Sequence, residues 1–422
     1  MKKLSDVCVN VSETNDNFIG VKYDKGNVKI IFPLGFNIPS DENECKKCVN
    51  LLFKIIKLSN EKNLDLENTG NYKKNSNNLP VESYIWVLND YIANGLYSDH
   101  ETIYTQYQLG KINWKRTFKT KFLVSHGSLV YLTPIVEKNS NIKNILTEIH
   151  SVCIDKSIDI IGPLYSGICK LNNVKETKNK IKYYIQIIEK EMLNSFDDRK
   201  KILLYHLKKI LQEQIDNGND TIRNYGIRHF EYVWEYMVNK ICGDKNISKY
   251  YPTTEYYIKK REKYIPSKLR PDTIFIYNNV FYIIDSKYYK FGITGLNKDL
   301  PSSESIQKQI TYGQFINNNF NLDNKYNDIY NAFVIPYCKN NNVFGINKNI
   351  EFIGYSICNW ELSNEFNSKY LKIAIILVDT KYIIESYFNK DKTIKDELIL
   401  EIKNVWQDSQ IRLDLNLDNK LD

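Results

Sequence analysis

No stretch of the 422-residue chain approaches the roughly 20 consecutive apolar residues of a membrane span, and no apolar core follows Met1-Lys2-Lys3 as in a secretory signal. These absences predict a soluble, cytoplasmic protein with no membrane partner. The eight cysteines (Cys8, Cys45, Cys48, Cys153, Cys169, Cys242, Cys338 and Cys358) are too scattered for a secreted disulfide scaffold, so reduced thiols are expected. Cys45-Lys46-Lys47-Cys48 matches half of a zinc knuckle. No second Cys-x-x-Cys or His-x-x-x-His pair completes four ligands, and the five histidines are dispersed. A Gly-x-x-x-x-Gly-Lys-Ser/Thr phosphate loop is also missing, so a nucleotide-driven motor, where one operates, belongs to another subunit. There is no internal repeat.

What is present is a mildly basic chain. Lys and Arg number 58 against 50 Asp and Glu, a formal net charge of +8 that attracts phosphate backbones. The excess is local: Lys259, Lys260, Arg261, Lys263, Lys268 and Arg270 crowd together with Glu262 as the one acid among them. Such a run is either a grip on nucleic acid or a solvated linker. The 42% hydrophobic content over this length supports more than one core.

Directly after that run comes Arg270-Pro271-Asp272, then two stretches rich in Ile, Phe, Tyr and Val separated by Asn278-Asn279, then Asp285-Ser286-Lys287. A two-residue Asn loop between such stretches predicts an antiparallel hairpin. Counting outward from it pairs Tyr277 with Val280 and finally Asp272 with Asp285. Opposed residues share a face about 5 Å apart at Cβ. Strand alternation returns Lys287 to that face and turns Ser286 away. Two like charges so close repel, and a bridging divalent cation relieves them; hard oxygen donors favour Mg2+. A lysine beside it suits phosphodiester hydrolysis. The plain alternative is a pair of solvated strand ends. Val280 to Ile284 argues against it, being apolar enough for a strand buried on both faces.

Upstream, Tyr225 to Val238 reads as a helix with Glu231 and Glu235 one turn apart on one face, so either acid can reach the hairpin. Downstream, Ser305 to Phe315 spaces Ile306, Ile310 and Phe315 as a buried stripe, leaving Lys308, Gln309 and Tyr312 as the polar face. Further toward the N-terminus, Gly110-Lys-Ile-Asn-Trp114-Lys115-Arg116-Thr-Phe118 precedes Lys119 and Lys121. Trp114, Lys115 and Arg116 are candidate DNA contacts, and a basic strand with a core tryptophan explains the same letters.

Pro271-Asp272 with Asp285-Ser286-Lys287 resembles the PD-(D/E)xK nuclease signature. The Gly226 to Glu235 helix and the Gly110 to Phe118 block are similar to the LlaJI family of type II restriction endonucleases, and more distantly to McrC-like nuclease subunits. The resemblance implies Asp272 and Asp285 as metal ligands, Lys287 as the catalytic lysine and Glu235, ahead of Glu231, as a third acid. It also suggests active-site roles for Lys308 and Gln309, although the spacing departs from the Gln-x-x-x-Tyr of related nucleases. Together with Lys268 and Arg270 these are the expected DNA-binding residues of the catalytic half.

The coarse pattern predicts helices over 44–60, 82–96, 141–155 and 174–216, broken near Asp197-Asp198, with an Asn- and Lys-rich loop at 68–80. The later strands are Thr273–Tyr277, Val280–Tyr288, Ile329–Pro336, Phe352–Cys358 and Lys372–Val378. The fold class is α/β: a restriction-endonuclease-like mixed β-sheet flanked by helices, preceded by a separate N-terminal α/β domain. The expected divisions are residues 1–170 for DNA recognition or partner binding, 171–216 as a helical connector, 217–405 as the nuclease and 406–422 as a polar tail. The expected activity is Mg2+-dependent, site-specific cleavage of foreign double-stranded DNA. A nuclease subunit of an NTP-dependent restriction complex and a DNA repair nuclease are the alternatives. The implied partners are duplex DNA, a separate NTPase subunit, a cognate DNA methyltransferase and a second copy of the chain.

Overall fold

Asn278 and Asn279 both adopt left-handed backbone, with φ of 49° and 57°. That is what a two-residue hairpin turn of primed type requires, and Asn tolerates it better than other residues with a side chain. The computed structural model describes residues 3–14, 16–24, 27–64, 79–106, 110–142, 144–165, 168–172, 176–217, 223–259, 261–266, 268–320, 328–358 and 369–418. The expected loop at 68–80 lies largely outside the described residues, as does Lys260.

In chain order the first elements are β1 (Cys8–Asn10), β2 (Ile19–Asp24), β3 (Asn27–Phe32), α1 (Glu42–Lys62) and α2 (Val81–Asn94). Next come β4 (Asp99–Gln106), β5 (Lys111–Ile112), α3 (Trp114–Thr117), β6 (Leu123–Ser125), β7 (Ser128–Val130) and β8 (Ile135–Ile142). Helices α4 (Ile145–Ile161), α5 (Lys178–Asn194) and α6 (Asp198–Asn217) lead to β9 (Arg223–Ile227) and α7 (Phe230–Cys242). The hairpin is β10 (Thr273–Tyr277) and β11 (Val280–Ser286), followed by α8 (Phe291–Thr294), α9 (Ser303–Phe320) and β12 (Asp328–Tyr337). The chain ends with β13 (Ile350–Ser356), β14 (Ile373–Asp379), α10 (Thr380–Asn389) and α11 (Thr393–Asp418).

Two compact units divide these elements. The first comprises residues 23–28 and 74–225, apart from Met1. Its helices α2, α4, α5 and α6 pack on one another. Ion pairs tie them further: the exposed Arg199 of α6 grips Asp90 of α2 through Nε and Nη2 at 3.1 and 3.2 Å, and the buried Arg223 of β9 meets Glu213 of α6 at 2.8 Å. β4, β8 and β5 form a three-stranded sheet, and β6 with β7 a separate hairpin.

The second unit comprises residues 2–22, 29–73 and 226–422. Residues 29–73 therefore belong with the hairpin and not with an N-terminal domain ending at 170. The contacts responsible join positions far apart in sequence. The Leu34 amide donates to the Tyr288 hydroxyl at 2.6 Å, and the Thr380 hydroxyl donates to the Leu34 carbonyl at 2.7 Å. The central sheet runs β10-β11-β12-β14-β13, with β11, β12 and β14 parallel and the two outer pairings antiparallel. It is a mixed sheet, as expected. Helix α9 covers the face carrying Ile274, Phe281 and Ile283, inserting Tyr312 and Ile316. α7 packs on β10 and β11 through its stripe of Val233, Trp234, Met237 and Val238.

The expected polar tail is a continuation of helix: α11 runs on to Asp418. Residues 406–418 contain no Gly or Pro, so nothing in the letters stops the helix at 405. No helix among the described residues is long and apolar enough to cross a membrane.

Candidate active site

The hairpin register runs from Tyr277 opposite Val280 to Thr273 opposite Ile284. One step further sets Asp272 opposite Asp285, as counting from the loop predicts. Asp272 precedes β10 and is tied on both sides. Its Oδ2 accepts a hydrogen bond from the Ser286 amide at 2.8 Å, and its carbonyl accepts one from the Asn239 side chain on α7. Past β11 the Lys287 amide donates to the Val334 carbonyl at 2.9 Å, so strand geometry persists and alternation brings the lysine back to Asp285. Lys287 Nζ lies 2.8 Å from Asp285 Oδ2, with side chains only 16% and 6% exposed. Water screens such a pair weakly, and removing either partner strands the other charge.

Glu235 joins this group from α7. Burial, then the charge of Asp285, raises its carboxyl from 4.5 to about 7, against the opposing pull of Lys287 and Lys308. Asp272 is displaced the same way. Burial, repulsion from Asp285 and Glu235, and a hydrogen bond shared with Asp285 push it above the usual carboxylate range, while the Ser286 amide pulls it down. Asp272, Asp285 and Glu235 thus act on one another at the end of β11, with Lys287 paired to Asp285. Glu231 stands a turn away, with Oε1 3.0 Å from His229 Nδ1.

On α9, Lys308 is exposed yet close enough to act on Glu235. Gln309 is not a DNA contact. It is fully buried, and its amide donates to the Ile283 carbonyl at 2.7 Å and lies 3.4 Å from Asn331 Oδ1. A buried amide must be paired, so this glutamine fastens α9 to β11. Tyr312, expected on the polar face, is also buried; burial, Asp285 and Asp272 raise its hydroxyl well above its ordinary value. That hydroxyl has no hydrogen-bond partner among the described residues. Sequence reasoning does not pick it out as a site residue, although its place four positions after Lys308 is the available signal.

The remaining candidates lie elsewhere. Lys268 and Arg270 are exposed, and Lys268 Nζ donates to the Ser248 carbonyl at 3.3 Å. The segment ahead of them is pinned by a Tyr256–Tyr264 bridge, and Lys263 is spent on Glu255 at 2.7 Å. In the first unit Trp114, Lys115 and Arg116 form a short exposed helix, not a strand around a core tryptophan. Trp114 is 53% exposed, and the Arg116 guanidinium lies 3.7 Å from the Tyr104 ring centroid. The Cys45-Cys48 motif is buried in α1 with Cys45 Sγ 3.6 Å from Cys8 Sγ.

Among the described residues no three His, Cys, Asp or Glu side chains form a ready-made metal cage. The donor chemistry at Asp272 and Asp285 nevertheless fits a hard cation that keeps most of its waters and takes one or two carboxylates from the protein. Beyond the burial that chiefly raises the Asp272 carboxyl, the charges of Asp285 and Glu235 that raise it further are what such an ion would offset.

The model of the LlaJI restriction endonuclease family matches residues 18–381. No curated protein matches the chain. Among solved structures, a chain of the assembly of Thermococcus gammatolerans McrB AAA+ hexamers with bound McrC shows a slight likeness. It has 12% identity and a TM-score of 0.28, over 88% of this chain and 82% of that one.

Proposed function

The chain belongs to the LlaJI restriction endonuclease family, and we propose that it is a Mg2+-dependent endonuclease of the PD-(D/E)xK kind, hydrolysing phosphodiester bonds of foreign double-stranded DNA at specific sites. The observation that carries this reading is the meeting of Asp272, Asp285, Lys287 and Glu235 at one strand end. Asp272 and Asp285, with Glu235 beside them, would hold the ion. When bound it would neutralise phosphate charge and make a coordinated water more acidic.

The protein's own groups supply the rest. Lys287 presents an ammonium where negative charge builds on the phosphate oxygens, and the Asp285 contact fixes its direction. Glu235 adds a third carboxyl beside Asp272 and Asp285, within reach of the charges of Lys287 and Lys308. Lys308 adds positive charge on the same side. Hydrolysis then adds water across one P–O bond, leaving phosphate on one product and a hydroxyl on the other.

Purified protein with Mg2+ is expected to cut plasmid DNA at discrete sites, read by sequencing the ends. Asp285→Ala should lower cutting by roughly 1000-fold while sparing duplex binding. Undiminished cleavage by that variant would remove the site assignment. Cutting only after addition of a partner NTPase with GTP or ATP would instead favour a subunit of an NTP-dependent complex. Digesting methylated and unmethylated plasmid in parallel tests the link to a methyltransferase.

A further inference from the structure

Lys287 and Glu235 reach the candidate site from different elements, and each stands next in sequence to a member of one aromatic cluster. Tyr288 follows Lys287 past the end of β11. Its ring centroid lies 5.1 Å from that of Phe230 and 6.3 Å from that of Trp234. Phe230 and Trp234 are both buried and stand one turn apart on α7, so they present one edge of the helix to the tyrosine. Glu235 is the residue after Trp234, about 100° further round the helix.

The tyrosine is itself anchored. Its hydroxyl accepts a hydrogen bond from the Leu34 amide at 2.6 Å, and the Leu34 carbonyl accepts one from the Thr380 hydroxyl at 2.7 Å. The chain on either side is held through its backbone. The Lys287 amide donates to the Val334 carbonyl at 2.9 Å, and the Tyr289 amide donates to the Lys287 carbonyl at 2.8 Å. A second tie joins α7 to the hairpin, where the Asn239 side chain donates to the Asp272 carbonyl. Asn239 lies one turn after Glu235 on the same side of the helix. A helix fastened along two neighbouring edges cannot roll about its axis. The direction of Glu235 is thereby decided, and it brings the carboxyl within range of the charges of Asp285 and Lys287.

We propose that Tyr288 is a positioning residue for the cleavage reaction: set between Phe230, Trp234 and the Leu34 amide, it fixes the roll of α7 against β11 and so the placement of Glu235 relative to Asp285 and Lys287. The proposal rests on reading that cluster as a metal-dependent nuclease site. Tyr288 acts through its neighbours, and the Leu34 hydrogen bond makes the site depend on a segment 254 positions away in the chain.

The test uses the full-length protein. Tyr288→Phe removes only the hydroxyl, and Tyr288→Leu removes the ring as well. Cleavage kcat should fall roughly tenfold for the phenylalanine variant and roughly 100-fold for the leucine variant, with KM for duplex within about twofold of wild type. Melting curves of both variants identify any unfolding. The deciding measurement is the affinity for Mn2+, which takes the same oxygen donors as Mg2+, read without DNA from the free-ion electron spin resonance signal. Tyr288→Phe should weaken Mn2+ binding about tenfold in the wild-type background and leave it unchanged in a Glu235→Gln background, where no carboxyl remains to be displaced. An equal loss of affinity in both backgrounds would overturn the proposal, since the tyrosine would then not act through Glu235. Unchanged kcat and Mn2+ affinity in both Tyr288 variants would overturn it too. A wild-type protein that neither binds Mn2+ nor cuts duplex refutes the nuclease reading instead, whereas a wild type that does both, matched by its Tyr288 variants, refutes the positioning role alone.

Discussion

Glu235 is the residue whose environment most directly links structure to a measurable property. Its carboxyl is raised by burial and by Asp285, so in metal-free protein the folded state keeps a proton that the unfolded chain releases between about pH 4.5 and 7. The folded form then binds more protons than the unfolded one across that window, and stability must fall as pH rises through it. Asp272 acts in the same direction. With chelator present, Glu235→Gln should therefore melt about 2–4 °C above wild type at pH 8 and show no such advantage at pH 4. Mg2+ should narrow the gap at pH 8. A pH-independent difference between the two proteins would show that Glu235 is not crowded by charge. Asp272, Asp285 and Lys287 are legible as a group because strand period and loop length alone determine which side chains meet. Gln309 misleads for an equally physical reason: a polar letter on an amphipathic helix looks solvent-facing until the sheet places the Ile283 carbonyl beneath it.

At the scale of elements, the hairpin is the part most fully encoded by local sequence. Two continuous apolar stretches set its strands, and two asparagines in left-handed backbone set its register. A one-residue slip would turn Asp285 and Lys287 to the opposite face, so turn chemistry protects the site. Asn279→Gly should be neutral or stabilising by about 0.5 kcal/mol, because glycine adopts this conformation without steric cost. Asn279→Val should cost about 1–2 kcal/mol and lower activity beyond what its stability loss explains. Urea melts and cleavage assays check the two effects, and a valine variant as stable as wild type would show that the turn does not hold the register. The strands of the second half and helices α7 and α9 are legible from periodicity, with ends shifted by a few residues, whereas α10 and α11 are not read from the letters. β1, only three residues long, carries too few positions to establish a period, and Tyr225 to Ile227 of β9 fall in the stretch read as helix, which begins only at Phe230. The end of α11 escapes a reading by composition, because polar letters suggest a tail even where no helix-breaking residue is present to end the helix.

For the whole molecule, the least legible feature is that residues 29–73 belong with the five-stranded sheet. No local pattern announces it, because the contacts span more than 250 positions. The segment after β3 is held at both ends of its Leu34 peptide, by Tyr288 just past Lys287 and by Thr380 at the start of α10. At Gly35, φ is +70° and a Cβ would lie 2.7 Å from the Tyr337 carbonyl, so the backbone passes too close to β12 for any other residue. α1 adds Val49, Leu52, Ile55 and Ile56, all fully buried, and its Lys54 ammonium lies 5.9 Å from the Phe388 ring of α10. Each such aliphatic side chain contributes about 1.5–3 kcal/mol when buried, and four of them rival the total stability of an ordinary domain. A fragment of residues 217–422 keeps every candidate catalytic residue but lacks this layer and the hydrogen bond that seats Tyr288. It should fail to melt cooperatively, expose apolar surface to a dye and cut no DNA, whereas the full chain should melt cooperatively, leave the dye unbound and cut. A fragment that melts like the full protein and retains cleavage would show that the first 73 residues are an appendage, and that the sheet supports the Asp272, Asp285 and Lys287 cluster without them.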